Sequence, residues 1–181
     1  MRPKTLVPLL LISVLTIPLL ATGQNRPRTT AESIRGHFAS VNKRLLDMAK
    51  DFPEDKYDYK LKPEMRTFAE VLVHVASGNV YAAKAGRGEQ VNWDELDPKN
   101  YKTKADVVTF VKKSFADGAA AIEARGDKGM SEVVVDPYSH DQTRISDYAY
   151  GFIEHSGEHY GQLVVYYRLN NIVPPESRPR K

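Results

Sequence analysis

The sequence predicts an all-α fold, a four-helix bundle. Three observations carry that expectation. Apolar residues recur at three- and four-residue spacing in four separate stretches, helix-capping residues open those stretches, and no run alternates apolar and polar residues as a half-buried strand would. Four helices of roughly 17–25 residues with facing apolar stripes bury one another as a bundle.

The chain begins with Arg2 and Lys4, then an apolar run over residues 6–20 broken by Pro8 and Pro18, then Ala21-Thr22-Gly23. That order reads as an export signal, with a small-residue cleavage site expected after Gly23. The run is short for a membrane span and its prolines disfavour one, so an uncleaved N-terminal anchor is the weaker alternative. Without cysteine there is no lipid attachment through a thiol, no disulfide framework, no thiolate ligand and no cysteine nucleophile. Removing residues 1–23 leaves 158 of the 181, enough for one domain with its own core. The leader carries two of the 26 basic residues and none of the 23 acidic ones, so the mature chain is nearly neutral at +1. No basic face interleaved with aromatics is present, which speaks against nucleic-acid binding.

Residues 24–28 form a polar, flexible lead-in. Thr29 followed by Glu32 is a capping box that opens a helix over residues 29–50, with Ile34, Phe38, Val41, Leu45 and Met48 on one face. Residues 51–63 form a charged, tyrosine-bearing loop. Thr67 and Glu70 make a second capping box, for a helix over 67–85 whose apolar positions include Phe68, Val71, Leu72, Val75 and Tyr81, with His74 among them. Gly86-Arg87-Gly88 stops it. The connector 89–102 carries Trp93 and Pro98. Trp93, Tyr57 and Tyr59 are placed to cover a pocket, although a lone tryptophan is more often a packing anchor.

Thr103 caps a third helix to residue 125, apolar at Val107, Phe110, Val111, Phe115, Ala119 and Ile122. Residues 126–142 read as loop, and Val133-Val134-Val135 is a short extended piece with no evident partner strand. The fourth helix covers 146–170, and Pro174-Pro175 prevents its continuation. The domain spans 29–178, without internal repeats.

Two of the five histidines, His155 and His159, are four residues apart on the fourth helix, so their side chains diverge by about 40° around its axis and point the same way. Paired imidazoles at this spacing suit zinc, copper, iron or nickel. They lie on a stripe with Tyr148, Phe152, Gln162 and Tyr166, polar in the middle and aromatic at both ends. A polar patch on an apolar face costs energy unless hydrogen bonds or a metal satisfy it. His74 repeats the pattern on the second helix and is the natural third ligand, though a single histidine on an apolar face is usually a hydrogen-bonded core residue. Three neutral histidines leave coordination open to water or substrate, as in catalytic rather than closed structural sites. His37 reads as packing or surface, and His140 as a solvated loop residue. Glu158 is a candidate general base or a partner orienting a ligand; a solvent-facing glutamate is the plainer reading. His155 to His159 also spells H-x-x-E-H, a metalloprotease signature. That chemistry needs an acidic ligand far downstream, and only 22 residues follow His159.

Residues 65–76 (MRTFAEVLVHVA) and 155–163 (HSGEHYGQL), followed by Tyr167-Arg168 and Pro174-Pro175, resemble the DinB/YfiT-like superfamily. The resemblance spans about residues 29–178. It implies a bundle of the DinB/YfiT-like type in which His74, His155 and His159 bind a divalent metal, zinc or nickel, and in which homodimers form through helix faces. Gly161 and Gln162 match the pattern without an implied catalytic role. Relatives in that superfamily include thiol-dependent transferases and isomerases and members regarded as metal-dependent hydrolases. Low-molecular-weight thiols are chiefly cytoplasmic, so an export signal shifts the expectation toward a hydrolase acting on an unknown small molecule. A non-enzymatic, stress-associated metal-binding bundle is the remaining alternative.

Overall fold

Thr29 and Thr67 open their helices by the same reciprocal pair of hydrogen bonds. The Thr29 hydroxyl accepts from the Glu32 N–H at 3.3 Å while the Glu32 carboxylate accepts from the Thr29 N–H at 3.0 Å. Thr67 and Glu70 repeat this at 3.0 and 2.7 Å, and Thr103 with Asp106 at 3.1 and 3.0 Å. Each box satisfies two donors that a helix start would otherwise leave open.

The computed structural model describes residues 28–179 other than Tyr138. The expected export signal falls on residues 1–23 and lies outside them. Four long helices follow: α1 (Thr30–Asp51), α2 (Phe68–Gly86), α3 (Lys104–Met130) and α4 (Ile145–Leu169). Helices α1 and α2 each pack mainly on α3 and α4, so the 52–67 connection carries the chain across the bundle and brings α2 alongside α4. That seam holds the histidines.

At one end of the bundle Phe52 stacks on Phe68 with centroids 3.9 Å apart, and Tyr167 packs beside them at 4.8 and 6.1 Å. Burying such a side chain contributes about 1.5–3 kcal/mol. Tyr57 joins this cluster: it is buried against Phe68 and its hydroxyl donates to the Ala49 carbonyl. It is therefore core rather than part of a cover over a pocket, because an aromatic ring with a local hydroxyl acceptor is more stable inside. The tail returns to the same end. The Arg178 guanidinium forks onto Asp51 at 2.7 and 2.6 Å, and this pairing holds the Asp51 carboxyl below its usual range.

Two boundaries differ from the sequence expectation in instructive ways. Gly126 takes φ 56°, which breaks α3 where the helix was expected to stop, and a further turn continues to Met130. Val133–Val135 (β1) does have a partner. It pairs antiparallel with Gln142–Arg144 (β2), Val134 opposite Thr143. The partner carries no apolar residue, so nothing in its pattern announced a strand. The hairpin feeds directly into α4 through a bond from the Ile145 N–H to the Glu132 carbonyl. Among the described residues no helix is long and apolar enough to cross a membrane.

Candidate metal centre

Helix α2 supplies His74 from the middle of a run in which Val71, Leu72, Val73, Val75 and Ala76 are all buried. Helix α4 supplies His155 and His159, one turn apart, on either side of the fully buried Ser156. All three imidazoles are half-buried, and one nitrogen from each lies within 4.8 Å of the others. The His74 and His155 Nε2 atoms are 3.1 Å apart, and the three ring centroids are separated by 5.0, 4.9 and 4.6 Å. Two nitrogens bound to zinc at tetrahedral angles stand about 3.3 Å apart. The donor set and its spacing therefore fit a divalent ion.

Electrostatics favour the form a metal needs. Burial, reinforced by Arg66 and the other two imidazoles, pushes the His74 pKa down to about 4. Burial likewise lowers His155, with His159 adding to the effect and Glu158 opposing it. Neutral imidazoles result, ready to donate lone pairs. The His159 Nδ1 lies 2.7 Å from Gln162 Oε1. An amide oxygen only accepts, so the Nδ1 carries the proton and the Nε2 is free for a ligand bond. The His155 Nδ1 is buried without such a partner.

Three contributors to this geometry were not legible as site residues. Gln162 stood out only as part of a motif, and its role in fixing the tautomer needs the three-residue spacing seen on a helix. Gly78, one turn after His74, lets α2 and α4 close together: a Cβ there would come within 3.0 Å of Phe152 and 3.2 Å of the His155 Cε1. A mid-helix glycine beside a candidate ligand was the available signal. Arg66 reaches the pair only by its charge, with its backbone carbonyl accepting from the Tyr166 hydroxyl.

Other expected positions resolve simply. His37 and His140 are exposed and stand apart from the cluster, as does Glu158, which lies exposed on α4. The cluster contains no carboxylate among the described residues, so the H-x-x-E-H protease arrangement is not formed. Trp93 is half exposed and stacks on Tyr81, 5.4 Å away, and Tyr81 in turn neighbours Phe152 beside His155. Tyr59 packs edge-on against Tyr166 instead of over the histidines.

The DinB superfamily model matches residues 37–163, a span that includes all three histidines. A solved DinB-like protein of Bacillus subtilis, YjoA, is similar in fold, with a TM-score of 0.63 and 20% sequence identity over 82% of this chain and 99% of that one. No curated protein matches the chain.

Proposed function

The chain belongs to the DinB superfamily, and we propose that it is an exported metalloprotein holding one divalent ion, zinc or nickel, on His74, His155 and His159 and hydrolysing a small-molecule substrate. The observation that carries this reading is the 3.1 Å approach of two imidazole nitrogens whose basicity burial has lowered. When bound, a divalent ion supplies Lewis acidity, polarising a substrate oxygen and acidifying water at neutral pH.

The protein's own part is positional. His74 and His155 present lone pairs across the α2–α4 seam, and Gln162 holds His159 in the matching tautomer. Three ligands leave room for water and substrate. Arg66 adds positive charge beside the site, which favours an anionic or polarised substrate group. Glu158 lies exposed on α4 outside the imidazole cluster, and its part is electrostatic: its charge reaches His155 and opposes the lowering of that imidazole's basicity.

The test is turnover by untagged, metal-loaded protein on ester, amide and phosphoester panels, with and without added low-molecular-weight thiol. Hydrolysis in the absence of thiol supports the proposal. Turnover only with thiol would replace it by a transferase, and no turnover at a saturated metal site would favour a binding role. Export is tested separately, by an N-terminus at Gln24 in protein recovered outside the cytoplasm.

A further inference from the structure

An apolar cavity lies away from the histidines. It lies toward the other end of α4, between Phe38 of α1, Ile122 and Met130 of α3, and Ile145, Ala149 and Phe152 of α4. Its volume is about 40 Å³. A single water needs about 10–15 Å³, so the room exceeds that of one water and admits a small organic group. Phe152 separates it from His155, their ring centroids 5.8 Å apart.

One wall is Asn79, which is only 1% exposed. Its orientation follows from a short polar chain. The Asn42 Nδ2 donates to the Phe38 carbonyl at 3.0 Å, which leaves the Asn42 Oδ1 as an acceptor. Ser156 donates to that oxygen at 3.3 Å and the Asn79 Nδ2 at 3.1 Å. A flipped Asn79 would set two amide oxygens against each other, so its Oδ1 must face away from Asn42. That oxygen is buried and has no hydrogen-bond partner among the described residues. The Tyr148 hydroxyl lines the same cavity, where burial and the neighbouring Asp136 and Tyr81 raise its pKa. An orphaned buried acceptor costs free energy until a donor reaches it.

We propose that this cavity is a second ligand site, taking a small, mainly apolar molecule that carries one hydroxyl or amine donor for the Asn79 Oδ1. Mostly apolar walls with a few polar groups are the general composition of small-molecule sites, and here Asn79, Tyr148, Arg87 and Arg125 are the polar lining. The site is independent of the metal reading, since it shares no histidine with it.

Phenol and its near-isostere toluene are the probes, titrated into protein with 13C-labelled methionine methyl groups, both zinc-loaded and metal-free. The Met130 methyl reports the cavity, and Met48, in the separate core beside Phe52, is the internal control. Phenol should shift Met130 saturably, spare Met48, and do so with or without zinc. It should bind about two- to tenfold more tightly than toluene, the ratio one hydrogen bond provides. Asn79→Leu should bring the two affinities together. Ala121→Leu, which fills the cavity, should abolish the shift, and Ala82→Leu serves if that variant does not fold. Three results would overturn the proposal: no saturable shift, equal phenol and toluene affinity in the unaltered protein, or a phenol response confined to the zinc-loaded form, which would place phenol on the metal.

Discussion

The Nε2 atoms of His74 and His155 face each other at 3.1 Å, although 81 residues separate them in the chain. Such an approach requires that at least one imidazole be unprotonated, and burial ensures that both resist protonation. A shared proton or a cation must mediate the contact, and His159 closes the third side.

Gly78 makes the seam narrow enough for that contact. Alanine there would gain about 1 kcal/mol of helix propensity, yet its Cβ would press on Phe152 and the His155 ring. Gly78→Ala is therefore expected to weaken metal binding by roughly tenfold, while the metal-free protein melts within a few degrees of the unaltered one. Calorimetric titration measures the first and thermal unfolding the second. Unchanged affinity would show that the helices can part without disturbing His155.

Gln162 sets the tautomer of His159. Gln162→Leu should reduce metal affinity by about 10–100-fold, the usual effect of removing a partner that orients a ligand. Gln162→Glu keeps an acceptor in place and should restore binding. Equal losses in both variants would point to packing rather than to the hydrogen bond.

Acid should destabilise the metal-free protein in a defined window. The His74 pKa lies near 4 in the folded state, below its ordinary value near 6.5. Between these values the unfolded chain takes up a proton that the folded chain refuses, so stability falls as pH drops from about 6.5 to about 4. His155 moves in the same direction. Asp51 acts lower: its pairing with Arg178 stabilises above the ordinary carboxylate range and is lost as pH falls through its depressed value. His74→Leu should flatten the upper window, and Arg178→Ala only the lower one. Denaturant unfolding in chelator at pH 7, 5.5, 4.5 and 3 checks both windows, and an upper slope unaltered in His74→Leu would refute the assignment.

Trp93 pins the connector to α2 through Tyr81. Trp93→Ala should cost about 0.5–1.5 kcal/mol, the range of an aromatic pair, and leave metal content alone. Intrinsic fluorescence during zinc titration offers a second check. Loss of the metal in this variant would mean that the connector shapes the site.

The helices were legible because their starts are written in short-range chemistry. Thr29 with Glu32 and Thr67 with Glu70 satisfy helix ends three residues apart, and Ile34, Phe38 and Leu45 recur at the helical period and are buried. His155 and His159 were legible together because both sit on one helix. Bringing His74 to them depends on how α2 packs against α4, and that rests on Gly78, whose contribution is the absence of a side chain. The β1–β2 hairpin was hidden for another reason. Val133 and Val135 are exposed, and Gln142, Thr143 and Arg144 offer only backbone bonds. Tyr57 was misplaced because a loop residue with a polar tip looks exposed until its hydroxyl finds the Ala49 carbonyl.

Metal content of protein purified without an affinity tag tests the central claim most directly. Elemental analysis should find one divalent ion per chain in the unaltered protein and in His37→Ala and His140→Ala. His74→Ala, His155→Ala and His159→Ala should each lose it while remaining helical, because the apolar core does not depend on the ion. Equal metal content across all five variants would contradict the account.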